Sequence, residues 1–137
     1  MKSQNSRINM ITQQLRTGNV QSENILSLYD ELPRDAFVPE SLHNFAYSDL
    51  QLPLPHNECM MTPLEEATIL QALALEGHEN VLEIGTGSGF LTALLSRRCH
   101  HVTSIDYHAD FTESASKKLN KHRCNNVTLH TGNAYHG

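Results

Sequence analysis

The ten residues Val81-Leu-Glu-Ile-Gly-Thr-Gly-Ser-Gly-Phe90 constrain this chain more than any other segment. An apolar run enters three glycines at alternate positions, and a helical pattern leaves them. That is the signature of a strand passing through a tight turn into a helix. Glycines there permit conformations closed to other residues and let a ligand approach the backbone with no Cβ in the way. The helix beyond offers unsatisfied N–H groups. Twenty-one residues after Gly85, Asp106 ends a second strand-like run, His101-Val-Thr-Ser-Ile-Asp106. A carboxylate at that place can accept hydrogen bonds from both hydroxyls of an adenosine ribose.

The pattern around this turn alternates. Asn80 to Gly85 is a short apolar strand, a helix from about Gly89 to Arg98 uses Leu91, Leu94 and Leu95, and His101–Asp106 is the second strand. A helix over 109–121 turns Phe111, Ala115 and Leu119 inward, and Asn126–His130 is a third strand. The order β-α-β-α-β means parallel strands joined by crossover helices, an α/β fold.

The N-terminal half reads differently. Ile8, Ile11 and Leu15 share one face of a helix over 5–16, with Gly18 as its C′ residue. A second helix over 22–32 carries Ile25, Leu26, Leu28 and Leu32, with Ser22 as N-cap. Residues 37–55 hold Pro39, Pro53 and Pro55 and show little period; they are expected to form an ordered loop pinned by Phe37, Phe45, Tyr47, Leu50 and Leu52. Thr62 caps a helix that starts at Pro63, where a missing N–H costs nothing, runs to about Leu75 with Leu64, Ala67, Leu70 and Leu73 on one face, and stops at Gly77. Residues 1–62 are thus expected to form a helical and loop region, and 63–137 a partial Rossmann-like domain.

Composition narrows the partners. Ten Lys and Arg against 15 Asp and Glu leave no basic excess for tracking phosphates, so nucleic acid is not an expected partner. No apolar run is long enough for a membrane span, and the N-terminus MKSQNSRINM lacks a signal-peptide core. Cys59, Cys99 and Cys124 are odd in number and scattered, which fits a reducing cytoplasm. The nine histidines form neither HxH nor HExxH, so no metal site is expected.

The glycine spacing is GxGxG with Glu83 before it, and not the GxGxxG of a dinucleotide fingerprint. It resembles the (D/E)xGxGxG turn of class I S-adenosylmethionine-dependent methyltransferases. The likeness extends along the chain. Gln13-Gln-Leu-Arg16, Leu32-Pro-Arg-Asp-Ala-Phe-Val-Pro39, Ala46-Tyr-Ser-Asp49 with Leu52-Pro-Leu54, and Leu82–Gly89 with Leu91-Thr-Ala93 occur in one order. In that order they resemble the protein-L-isoaspartate O-methyltransferase family, in a bacterial branch with a Met-Met-x-Pro loop. The resemblance implies an S-adenosylmethionine-dependent enzyme of protein repair. It would methylate the free carboxylate of isoaspartyl residues in a protein or peptide substrate. By family position, Glu83, Gly85, Gly87, Gly89 and the Thr86 and Ser88 backbone would line the methionine part of the cofactor. Asp106 would hold the ribose, and Asn133, in place of the family's acid, would lie beside the adenine.

Two departures shape the remaining expectations. The loop Asn57-Glu-Cys-Met-Met-Thr-Pro63 puts Met61 where the family's serine associated with catalysis stands, and a thioether cannot donate a hydrogen bond to a reacting carboxylate. Thr62 carries a hydroxyl one position later, so Met61 and Thr62 are the candidate catalytic pair, with N-capping as the competing duty of Thr62. The chain also supplies three strands, in the order 3-2-1, where a class I methyltransferase sheet has more; it is expected to be C-terminally truncated at Tyr135-His-Gly137. The alternative function is therefore a cofactor-binding, methyltransferase-like module without isoaspartyl turnover, or one acting on another substrate. The oligomeric state is not legible.

Overall fold

The computed structural model describes residues 2–134. Residues 135–137, where the sequence reading places the truncation, lie outside them. The chain divides into two compact units, the first ending at Ala74 and the second starting at Leu75.

In the first unit, helix α1 (Lys2–Met10) runs directly into a π-helical turn, Ile11–Leu15, where Arg16 N donates to Ile11 O at 3.1 Å. The single regular helix expected over 5–16 is therefore two segments. A π turn spends an extra residue per turn and rotates the inward face. Met10, Ile11 and Leu15 are buried, whereas Ile8 is 48% exposed. The left-handed residue after the turn is Asn19 (φ 72°) and not Gly18. Gly18 is needed for a different reason: a Cβ there would stand 2.5 Å from Leu64 Cδ1 and 2.9 Å from Gln14 O.

Helix α2 (Glu23–Glu31) buries Ile25, Leu26, Leu28 and Tyr29, with Leu32 buried just beyond it. Ser22 makes no side-chain cap. Gln71 instead holds the segment just ahead of the helix, its Oε1 accepting the N–H groups of Gln21 (3.0 Å) and Ser22 (3.3 Å). The expected loop over 37–55 is more regular than its sequence. It holds 3₁₀ turns at Arg34–Phe37 and Glu40–Phe45. A hairpin of β1 (Pro53–Leu54) and β2 (Glu58–Cys59) then follows, in the register Pro53↔Cys59. His56 and Asn57 both have positive φ, as a tight hairpin turn requires. Phe37, Tyr47 and Leu52 anchor the segment as expected, but Phe45 and Leu50 are exposed.

Helix α3 (Pro63–Leu73) starts as the sequence predicts. Thr62 Oγ1 accepts from Glu65 N at 3.1 Å, Glu65 Oε1 accepts from Thr62 N at 3.0 Å, and Pro63 sits in the first turn. It ends earlier than predicted, at a left-handed Ala74 (φ 49°), before Gly77 is reached. Leu73 is exposed and does not join the buried face of Ala67 and Leu70.

The second unit is β3 (Asn80–Ile84), α4 (Phe90–Ser96), β4 (His101–Asp106), α5 (Ala109–Lys121) and β5 (Val127–Thr131). The three strands are parallel in the order β3-β4-β5, as expected, with Leu82 paired to Thr103 and Thr103 to Thr128. Phe90, Ala93, Leu94 and Leu95 of α4, Val102 of β4, and Phe111, Ala115 and Leu119 of α5 are buried. Leu91 is half-buried. β3 is an edge strand, and Leu82 and Ile84 are 61% and 62% exposed on it. Among the described residues no helix is long and apolar enough to cross a membrane.

Candidate functional site

The turn between β3 and α4 is set by its glycines. Gly85, Gly87 and Gly89 have φ of 95°, 55° and 88°, on the left-handed side where a Cβ is strained. Gly85 N donates to Ile105 O at 2.7 Å, carrying the β3–β4 ladder one residue past the strand. Gly89 N donates to Thr86 O at 2.9 Å and closes the turn. A Cβ at Gly85 would meet nothing within 4 Å, so its face of the turn is open.

Asp106 closes onto this turn from the end of β4. Its Oδ2 accepts from Gly87 N at 2.9 Å, and its Oδ1 accepts from His108 N at 2.9 Å. Its own carbonyl accepts from Gly132 N at 2.9 Å, which brings the segment leading to Asn133 beside it. The side chain is buried. An ionised carboxylate has about four acceptor sites. The two backbone donors use two, so one lone pair on each oxygen remains for a ligand hydroxyl.

Glu83 sits beneath the turn in a cluster of hydroxyls. Its Oε1 accepts from Ser104 Oγ at 2.6 Å and from Thr92 Oγ1, and Ser104 Oγ is 2.6 Å from Thr86 Oγ1. All four residues are buried. Burial pushes the Glu83 carboxyl up to about 7, against the pull of the Ser104 and Thr92 hydrogen bonds and with a smaller upward push from Asp106. A carboxyl raised in the folded state favours the protonated fold. Its stabilisation is complete below the unfolded value of 4.5 and is lost as pH rises through about 7. Glu83→Gln is therefore expected to lessen the fall in unfolding free energy between pH 5 and pH 8, read from urea titrations at the two pH values. An unchanged difference would show that Glu83 does not titrate in this range.

The loop carrying Met61 and Thr62 is fixed by a buried arginine. Arg34 is fully buried; its Nε and Nη2 lie 3.3 and 3.4 Å from Glu66 Oε1 and Oε2, and its Nη2 donates to Met61 O at 2.8 Å. Its Nη1 donates to Ala46 O. Burial raises the Glu66 carboxyl to about 7 although Arg34 pulls it back, and the buried Tyr29 hydroxyl donates to Pro63 O at 3.3 Å.

The residues singled out from sequence thus fall in two places. Glu83, Gly85, Thr86, Gly87, Ser88, Gly89, Asp106 and Asn133 gather at the C-terminal ends of the strands in the second unit. Thr86 offers only its backbone outward, because its hydroxyl is turned inward to Ser104. Ser88 Oγ accepts from Phe90 N at 3.3 Å. Asn133 is exposed, just past the end of β5. Met61 and Thr62 lie in the first unit, the Thr62 hydroxyl engaged in the cap of α3 and the Met61 carbonyl held by Arg34. Sequence reading missed Ser104 and Thr92 as partners of Glu83, and Glu66 as the partner of Arg34. The signal available was polar residues at inward positions of otherwise apolar elements.

Comparison with known proteins places this geometry in a family. The family model described as protein-L-isoaspartate(D-aspartate) O-methyltransferase matches residues 5–137. A relative from Rhodopseudomonas palustris, a protein-L-isoaspartate O-methyltransferase, is 33% identical over 128 residues, covering 93% of this chain and 59% of its own length. A solved protein-L-isoaspartate O-methyltransferase superposes with a TM-score of 0.80 at 26% identity, over 96% of this chain and 43% of that one. A Plasmodium falciparum protein solved in complex with S-adenosyl-L-homocysteine shares the fold, with a TM-score of 0.77 at 16% identity, over 93% of this chain and 63% of that one. The chain therefore spans somewhat more than half the length of the curated relative.

Proposed function

This chain belongs to the protein-L-isoaspartate O-methyltransferase family, and on that premise we propose that its glycine turn holds S-adenosylmethionine and that it methylates the free carboxylate of isoaspartyl residues in damaged proteins. The observation that carries the cofactor half is the closure of Asp106 onto Gly87 N at the end of β4, with an unused lone pair on each carboxylate oxygen. Those lone pairs suit the two ribose hydroxyls. The open face at Gly85 suits a ligand lying against the backbone. The exposed Asn133 offers an amide oxygen to the adenine amino group.

When bound at Asp106 and the Gly85–Gly89 turn, S-adenosylmethionine would supply an activated methyl group to the acceptor carboxylate. A carboxylate is already ionised at pH 7, so no general base is required. The chain's own work is alignment and exclusion of water. Asp106 and the glycine turn would hold the methyl donor. The backbone nitrogen of the following residue in the substrate then attacks the ester carbonyl and expels methanol, and water reopens the resulting succinimide partly to aspartate. The unpaired thiols Cys59, Cys99 and Cys124 favour a cytoplasmic setting, and the acidic balance disfavours nucleic acid as partner.

A second reading has its own support. Met61 has no proton to donate, and the Thr62 hydroxyl is committed to the α3 cap. A preorganised donor is worth roughly 10²–10³ in rate. That favours a cofactor-binding module with little isoaspartyl turnover. Transfer of a labelled methyl group from S-adenosylmethionine to an isoaspartyl peptide, with the aspartyl peptide as control, separates the two. Incorporation confined to the isoaspartyl peptide is the expected result. Cofactor binding without incorporation would establish the second reading.

A further inference from the structure

We draw no further inference here: the strongest candidate, the open edge of β3 with Leu82 and Ile84 exposed on it, carries none, because nothing in the structure shows what covers it.

Discussion

Replacing Arg34 with methionine should destabilise the protein by about 3–5 kcal/mol, because it leaves the Glu66 carboxylate buried without its partner. Arg34 has no exposed surface, and its guanidinium bonds Glu66, Ala46 O and Met61 O at once. Two segments distant from it in sequence meet on this one side chain: the end of the 3₁₀ turn at Phe45 and the stretch from the Met61 loop into the first turn of α3. Methionine fills much of the volume and satisfies none of these acceptors. The double variant Arg34→Met, Glu66→Leu should recover most of the loss, since a buried ion pair replaced by apolar residues of similar size is often neutral. The recovery should be incomplete, because the Ala46 and Met61 carbonyls still lack their donor. Urea titrations of the single and double variants give the coupling. A single variant within about 0.5 kcal/mol of the parent would mean that the pair contributes specificity of loop position and no net stability.

The legible parts of this fold were those whose cause is local. Three glycines at alternate positions bring the chain through left-handed geometry whatever surrounds them, so the turn after β3 was readable residue by residue. The Thr62–Pro63 start of α3 was equally local, since a capping hydroxyl and a proline state the same boundary. The unreadable parts depend on distance. Gln71 ties down the two residues ahead of α2 across some fifty residues, and Ser22 makes no side-chain cap. The hairpin of β1 and β2 has two residues per strand, too few to leave an alternation, and its clue was the left-handed pair His56 and Asn57. The π turn hid within an apolar spacing that a regular helix satisfies equally well. At the candidate site, Glu83 was legible as an acid before a glycine turn. Its contacts are with Thr92, nine residues on, and Ser104, twenty-one on, and no periodicity ties those positions together. Sequence pattern identified which side chains carry charge; only the fold shows which way each one faces.

Asp106→Ala should weaken S-adenosylhomocysteine binding about a hundredfold, from the loss of two charge-assisted hydrogen bonds at roughly 1.5 kcal/mol each. The structure adds a second cost, because Asp106 also holds the turn. Without its carboxylate the Gly87 and His108 N–H groups lose their acceptor, and the conformation of residues 85–89 is no longer fixed from the β4 side. Asp106→Asn separates the two contributions. Its one amide oxygen can serve Gly87 or His108 but not both, and its NH₂ group turns a donor toward a hydrogen-bond donor. Asparagine should therefore recover only part of the loss. Had the carboxylate served the ribose alone, asparagine would recover about half, since one acceptor of two remains. Calorimetry of both variants, with a thermal melt of each, distinguishes these cases. Unchanged affinity in Asp106→Ala would remove Asp106 from the site. Equal loss in both variants would show that the hold on Gly87 and His108, as much as the ribose contact, is what prepares the turn for its ligand.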